Sequence, residues 1–279
     1  QSRPSLLLME YESAIRLISF VLVFILIAAW EIMMPRRALT TSKKWRWFNN
    51  LSIIAINPYL LNLIFPILAV GMARTAQVNG WGLLNYFNLP YPIALIAGFV
   101  VMDLVIYLQH IMFHAVPLLW RLHMVHHADL DIDLTTGLRF HPVEIALSMA
   151  VKMMVISALG LHIASVLVFE VVLNGTAMFN HGNIAIPRAL DRWLRWFVVT
   201  PDMHRVHHSV IIRETNSNYG FNLAVWDRMF GTYQGQPRKG HTDMVIGLAQ
   251  FRDEKRLTLP WLLILPLIGD PGKQPINRH

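Results

Sequence analysis

Apolar positions along this chain come in long uncharged blocks rather than in short amphipathic stripes. Residues 51–73 run for 23 positions without a charged side chain, and a helix needs roughly 20 such residues to cross a bilayer. Residues 14–34 form an earlier block, broken only by Arg16 near its start and Glu31 near its end. A third block covers residues 91–113. The fourth, residues 143–179, is interrupted by Lys152, Gly160, His162 and Glu170. At 37 residues it is too long for one crossing and reads as a helical hairpin that goes out and returns. A last run, residues 257–268, is too short to span and carries Pro260 and Pro266, so it is expected to lie in the interface.

The pattern predicts an all-α, multispan membrane protein with about four crossings, the hairpin included, and a cytoplasmic helical cap. Three regions follow from it: a two-span N-terminal region (1–90), a catalytic region (91–256) and an interfacial C-terminal segment with its tail (257–279). A cleaved signal peptide is the bland alternative for the first block. That block lacks a basic start and a small-residue cleavage site before Trp30 and Glu31. The chain begins with Gln1 rather than Met, as expected of a fragment or a trimmed chain.

Composition agrees with the pattern: 54% of residues are hydrophobic and 15% charged, the latter well below the roughly 25% of soluble domains. Thirteen histidines and no cysteine exclude a disulfide scaffold, a thiolate zinc finger and a Cys-ligated iron–sulfur protein. Between the first two blocks lie Arg36, Arg37, Lys43, Lys44 and Arg46, interleaved with Trp45 and Trp47. A nucleic-acid patch is conceivable there, but a short positive-inside loop with interfacial tryptophans accounts for the same residues. No nucleic-acid partner is expected. Residues 186–256 hold eleven Lys/Arg against seven Asp/Glu, so this region too is assigned to the cytoplasmic side, most simply of a bacterial inner membrane.

That sidedness gathers the histidines. His110 and His114 sit four apart at the end of the third block. His123, His126 and His127 follow, and His204, His207 and His208 repeat their spacing. On a helix advancing 100° per residue, positions i, i+3 and i+4 fall within about a 100° arc, so three imidazoles face one way. Any one of these histidines alone is better read as a satisfied core residue. Eight together near lipid would be costly to satisfy without metal. Imidazole suits zinc, copper, iron and nickel, and eight or nine histidines match two ions of four or five ligands each. The metalloprotease His-Glu-x-x-His and the ferritin-like Glu-x-x-His patterns are both missing.

His-x3-His followed by two His-x2-His-His boxes on a multispan chain resembles the fatty acid hydroxylase/sterol desaturase superfamily of integral-membrane di-iron enzymes. The resemblance covers roughly residues 102–233 and extends beyond histidine. It takes in Leu138-Arg139-Phe140-His141-Pro142-Val143-Glu144, Thr200-Pro201-Asp202-Met203-His204-Arg205, and Asn218-Tyr219-Gly220 with Trp226-Asp227-Arg228-Met229-Phe230-Gly231-Thr232. Members commonly carry a further histidine at the end of the hairpin, and His181 occupies that place. The branch of ceramide and fatty-acid 2-hydroxylases has a pair there, whereas Ala177 stands four residues before His181. The resemblance therefore implies nine ligands: His110, His114, His123, His126, His127, His181, His204, His207 and His208.

It further implies two iron ions, O2 as co-substrate and hydroxylation of a C–H bond in a lipid or sterol-like substrate taken from the bilayer. A desaturase using the same site is the rival within the enzyme class. A membrane metal-binding or transport protein is the rival from another class. With no dinucleotide fingerprint, haem motif or iron–sulfur pattern, electrons are expected from a separate donor, a ferredoxin or a small cytochrome with its reductase. The basic face can dock an acidic donor or, more blandly, anionic lipid heads.

Other polar residues are weighed individually. Asp103, inside a span and seven before His110, is expected to orient a ligand histidine. Asp202 is a candidate to offset metal charge, or simply an acidic first-turn residue after Pro201. Asp129, Asp131 and Asp133 are candidates for the same role, with a solvated loop the favoured reading. His141, before Pro142, is read as capping a helix start rather than touching metal. His162, His241 and His279 are placed outside the site.

Overall fold

The computed structural model describes residues 3–87, 89–273 and 275–276, with side chains from residue 7 onward. Among them no strand forms, and the chain is all-helical. Helix α1 (Arg3–Glu10) leads into α2 (Glu12–Met33), followed by α3 (Lys43–Ile64), α4 (Ala69–Asn79), the one-turn α5 (Leu83–Tyr86) and α6 (Tyr91–Ala115). Next come α7 (Pro117–His127), α8 (Pro142–Leu159) and α9 (Ile163–His181). Six short α-helices follow among the described residues: α10 (Arg188–Leu194), α11 (Pro201–His207), α12 (Ile212–Thr215), α13 (Val225–Met229), α14 (Gly240–Asp243) and α15 (Leu259–Ile268).

Among the described residues, five stretches are long and apolar enough to cross a membrane: Glu12–Met33, Lys43–Tyr86, Tyr91–Ala115, Pro142–Leu159 and Ile163–His181. The expected hairpin is α8–α9, its two arms each long enough to span. Gly160 makes the turn at φ +67°, and a Cβ there would lie 2.2 Å from the Trp81 carbonyl oxygen, so only glycine fits. Leu17, Ile18, Leu22, Ile25 and Leu26 on α2 are exposed, the outward apolar face that lipid would cover.

The uncharged run at residues 51–73 is not one helix. α3 starts eight residues earlier, inside the basic loop, with Ser42 as its N-cap, and ends at Ile64. Phe65 is extended (φ −114°, ψ 117°) because the ring of Pro66 clashes with a helical conformation of the preceding residue. α4 resumes the helix at Ala69.

The interior has two main apolar regions. Met102 and Ile106 of α6 meet Met149 and Ile156 of α8 and Val166, Leu167 and Phe169 of α9. At the other end of the bundle, Ile53 of α3 packs with Trp120 and Met124 of α7 and with Leu262 and Leu265 of α15. Between the helices lies a cavity of about 550 Å³, bordered by α2, α3, α6, α8 and α9.

Basic residues 36–46, read from sequence as a short positive-inside loop, are tied into the fold. Arg36 meets Asp202 (3.0 Å) and Lys43 meets Glu31 (3.2 Å), while Arg37 donates to the Met244 carbonyl (2.8 Å). Arg46 is buried. Its Nε and Nη2 hold both oxygens of Asp129 (2.7 and 2.8 Å), and its Nη1 reaches Asp133 (2.6 Å). Asp131 accepts from the Thr40 and Thr41 amides at 2.8 Å. The solvated-loop reading of Asp129, Asp131 and Asp133 is thus corrected: all three are buried. A buried carboxylate persists only with partners of this kind, and these clamp the start of α3 to the chain that follows α7. Arg36 and Arg205 keep the Asp202 carboxyl below its ordinary range against the opposing effect of burial.

Candidate metal centre

Three helix ends and one corner bring the histidine boxes together. α6 ends at Ala115, and extended Val116 followed by Pro117 starts α7 at once. Proline suits a first helical position, where no amide partner is needed, so the chain turns sharply and α7 packs back on α6. His110 and His114, at the end of α6, then face His123, His126 and His127, at the end of α7. His181 is the last residue of α9. α11 starts under a Thr200 cap and carries His204 and His207, with His208 just past its end.

The nine histidines fall into two groups: five (His110, His114, His123, His127, His207) and four (His126, His181, His204, His208). Within each group every residue offers a nitrogen within 4.8 Å of the others. The groups adjoin, with the His127 and His208 rings stacked at 4.6 Å. All nine are buried. Each box with three histidines is split between the groups, which spacing alone did not suggest.

Backbone carbonyls set the tautomers. A carbonyl only accepts, so a ring nitrogen beside one must carry the proton. His110 Nδ1 donates to the Tyr219 carbonyl (2.8 Å), His207 Nδ1 to that of Ser217 (2.7 Å) and His181 Nδ1 to that of Ala177 (2.6 Å). His123 Nδ1 donates to Glu144 Oε1 (2.6 Å), and His114 Nδ1 lies 3.2 Å from Asn216 Oδ1. These rings turn bare Nε2 lone pairs toward the centre of each group.

Those lone pairs test the fit of metal. His110 Nε2 and His123 Nε2, both bare by these tautomers, lie 3.1 Å apart; His181 Nε2, also bare, lies 3.1 Å from Nε2 of both His126 and His204 and can accept a proton from only one of them. Facing lone pairs repel at that distance unless a cation joins them. Two nitrogens about 2.1 Å from one ion at a right angle sit about 3.0 Å apart. Nε2 of His114, His127 and His207, and both ring nitrogens of His208, are buried without any partner. The donor set therefore fits metal in both groups. Burial first, and then the neighbouring imidazoles, hold His123, His126, His127, His204 and His208 well below the usual histidine range, so they stay neutral. His207 is lowered in the same direction, chiefly by burial.

Residues 216–219 supply three of the acceptors that orient His110, His114 and His207, and the rest of the sequence motif holds this segment in place. Asp227 accepts from the amides of Tyr219 (2.7 Å) and Gly220 (2.9 Å) and from the Thr232 hydroxyl (2.7 Å). Asn218, at φ +52°, bonds the Met203 and Gln234 carbonyls and the Gln234 amide, each at 2.8 Å. A Cβ on Gly220 would fall 2.7 Å from Asp227 Oδ2. The Trp-Asp-Arg-x-Phe-Gly-Thr stretch thus acts on the histidines from behind.

Two expected residues do not meet the histidines. Asp103 Oδ2 accepts from Trp226 Nε1 (2.8 Å) and the Leu223 amide (3.2 Å). A hydrogen bond to a ligand is corrected to support of the loop that carries Tyr219. Asp202 is the first-turn residue of the alternative reading. From it, His204, His207 and His208 lie about 200°, 140° and 240° around the helix, so its carboxylate points away, to Arg36 and Arg205. Sequence reasoning missed Glu144, buried in the first turn of α8. Its signal was a carboxylate at the edge of an apolar span. It also missed Asn216 and Ser217, which carry no pattern.

His141 caps α8, accepting from the Val143 amide (3.2 Å), and its Nε2 meets the Leu263 carbonyl (3.1 Å). His162 caps the far end of α9. His241, expected in a polar tail, is buried 3.6 Å from Asp202, and burial pushes it down to about 4. His279 lies outside the described residues.

His110 and His123, from the five-histidine group, border the cavity together with Phe113, Phe140 and Phe221. Ala177 borders it too, so its small side chain leaves open the space a histidine would occupy.

Comparison with known proteins adds three findings. Residues 95–232 match the sequence model of the fatty acid hydroxylase family. The ornithine lipid hydroxylase OlsE of Rhizobium tropici is 29% identical over 157 residues, covering 56% of this chain and 46% of that protein. The alkylglycerol monooxygenases of Xenopus tropicalis and Homo sapiens are 30% and 27% identical, covering 61% and 59% of this chain and 37% and 36% of their own. The chain thus spans less than half the length of these curated relatives. No solved structure matches at a comparable significance.

Proposed function

The chain belongs to the fatty acid hydroxylase superfamily, and on that premise we propose that it is an integral-membrane, O2-dependent hydroxylase acting on a C–H bond of a lipid or sterol-like substrate. One observation carries the reading: nine buried histidines in two all-imidazole groups, one bordering a largely apolar cavity through His110 and His123. The nine serve as ligands of two iron ions. When bound, the iron pair supplies activation of dioxygen, with electrons from an external donor, a ferredoxin or a small cytochrome with its reductase.

The chain's own residues do the rest. Tyr219, Ser217, Ala177, Asn216 and Glu144 fix the imidazole tautomers, which removes the cost of reorganising ligands as metal binds. Phe113, Phe140 and Phe221 exclude water beside His110 and His123 and present the substrate chain to that edge. Hydroxylation rather than desaturation is the outcome favoured by the relatives, whose names are those of a hydroxylase and of monooxygenases. The histidine end of the bundle is assigned to the cytoplasmic side of a bacterial inner membrane, on the basic residues gathered there.

The test is metal analysis of purified protein together with lipid profiling of cells with and without it. About two irons per chain and a lipid that gains a hydroxyl are expected. His126→Ala and His207→Ala, one from each group, abolish turnover with iron and a reductant while leaving membrane insertion intact. Labile zinc without O2 consumption, or activity retained in both variants, overturns the proposal.

A further inference from the structure

Helix α10 is built inside out. Its ionic residues Asp191 and Arg195 are buried. They pair with each other, and Arg195 Nη1 also donates to the Gly235 carbonyl (2.7 Å). Its apolar residues Leu190 and Trp193 face outward, the tryptophan 60% exposed. At 100° per residue the two pairs are centred about 150° apart, on opposite sides of the helix. A helix at a water surface has the reverse pattern, with charge outside and the apolar stripe in the core.

The outward apolar face continues beyond α10. Trp196 and Phe197 follow it, both exposed. The Ala224 amide donates to the Phe197 carbonyl (3.1 Å) and the Val199 amide to that of Asn222 (3.0 Å), so α13 lies alongside. Arg228 covers the Trp196 ring at 4.4 Å. Exposed Val225, Met229 and Phe230 extend the same face.

What covers this face follows from where it is fastened. Phe230 stacks on Tyr107 of α6 with ring centroids 5.5 Å apart, and Trp226 Nε1 bonds Asp103 of the same helix (2.8 Å). Tyr107 and Asp103 stand eight and twelve residues before the end of α6, about 12 and 18 Å along it. α13 therefore sits against the flank of a helix able to span the membrane, not beyond its end. The lipid-facing side of α6 does not end earlier either. Leu108 and Met112 are exposed after Tyr107, then Val116 and Leu118 at the α6–α7 corner, whereas Gln109, His110 and His114 are buried. No Asp, Glu, Lys or Arg occurs between Asp103 and Arg121.

A broad exposed apolar surface marks contact with a protein or a membrane, and continuity with the flank of α6 selects the membrane. The rim agrees. Arg188 and Arg192 are exposed beside the apolar side of α10, placed to carry their charge to a head-group layer. Tryptophan is itself enriched at that layer.

We propose that α10 with residues 195–197, and α13 with Phe230, form one monotopic surface sunk into the leaflet at the histidine end of α6. Its occupants are the acyl chains of the bulk phospholipid, with Arg188 and Arg192 at the phosphates. The proposal rests on α6 as a span and is independent of the hydroxylase reading.

The chain has no cysteine, so single cysteines can report depth. Full-length Trp193→Cys and Met229→Cys proteins are labelled with an environment-sensitive fluorophore in phosphatidylcholine/phosphatidylglycerol nanodiscs, which leave both faces open to solutes. Leu22→Cys on the outward face of α2 and Lys239→Cys, exposed in a polar loop, are the references. Nitroxides on the lipid acyl chains are expected to quench both patch labels to within about twofold of the Leu22 label. A nitroxide near the head group is expected to act more strongly than one at mid-chain, since an interfacial helix lies about 5–10 Å deep. Aqueous iodide is expected to quench the Lys239 label and spare the patch.

Patch labels open to iodide and untouched by the lipid nitroxides overturn the proposal and leave this face to a soluble protein such as the electron donor. Failure of either label alone also overturns it, because the two segments are proposed as one surface. If the variants fail to fold, wild type is read directly. Phosphatidylcholine with a photoreactive diazirine in its acyl chain is crosslinked and the adducts are mapped. Adducts within residues 188–197 and 225–230, as on α2, are expected; adducts on α2 without them overturn the proposal.

Discussion

Glu144→Leu is expected to separate the two proposed metal positions. Glu144 is buried in the first turn of α8, and its Oε1 accepts from His123 Nδ1 at 2.6 Å. Leucine has a similar volume and no acceptor, so the ring is freed to rotate and its Nδ1–H is left buried without a partner. Loss of an outer hydrogen bond to a ligand histidine costs about 10–100-fold in metal affinity, or about 1.4–2.8 kcal/mol. The unpaired donor costs the metal-free fold about 1–3 kcal/mol.

The damage is confined to the group that contains His123. In the other group His181 keeps its bond to the Ala177 carbonyl, which Glu144 does not touch. The assay is metal content per chain under a graded chelator, with unfolding midpoints of the metal-free protein measured alongside. One ion is expected to leave 10–100-fold more readily than in wild type, with the second unchanged. Glu144→Gln, which retains a carbonyl acceptor, is expected to fall between. A Glu144→Leu protein that holds both ions as tightly as wild type refutes the reasoning, and so does one that first loses the ion of the four-histidine group.

Three further outcomes follow. Arg46→Met leaves the carboxylates of Asp129 and Asp133 buried without their guanidinium, and breaking such a pair costs about 3–5 kcal/mol. Unfolding in detergent reads this out, and a wild-type midpoint sinks the idea. Gly220→Ala drives a methyl group to within 2.7 Å of Asp227 Oδ2 and displaces the Tyr219 carbonyl from His110. A stability loss of about 1–3 kcal/mol is expected, with metal lost first from the five-histidine group; tight metal in both positions would contradict it. Acidification is expected to destabilise the metal-free protein. Its buried His126, His127, His204 and His208 are held well below the ordinary histidine value, whereas the unfolded chain takes up protons at about 6.5. Below that pH the unfolded state binds more protons, so stability, complete at higher pH, falls as pH drops. An unfolding midpoint that stays flat between about pH 7.5 and 5.5 would refute the assignment of cause.

The membrane class, the hairpin and the shared face of each histidine box are local properties, and the sequence by itself determined them. Hydropathy is summed along contiguous residues, and the i, i+3, i+4 arc follows from helical rotation within one turn. His123, His126 and His127 could therefore be recognised without knowing what they face. Capping is just as local, so His141 before Pro142 read correctly.

What lies opposite each box was decided only by tertiary structure. His126 parts from His123 and His127 to join His181, because the folded chain sets the end of α9 and the residue after α11 beside it. Asp129 and Asp133 resembled solvated loop residues until Arg46, more than eighty residues earlier, was packed against them. Asp103 had the right periodicity to reach His110, yet Trp226 and the Leu223 amide lie nearer. Arg16, Lys152 and Glu170 interrupted two separate apolar blocks as unrelated defects. They become one charged end of one cavity only when α2, α8 and α9 stand side by side, because attraction between charges acts through space and leaves no period in the chain.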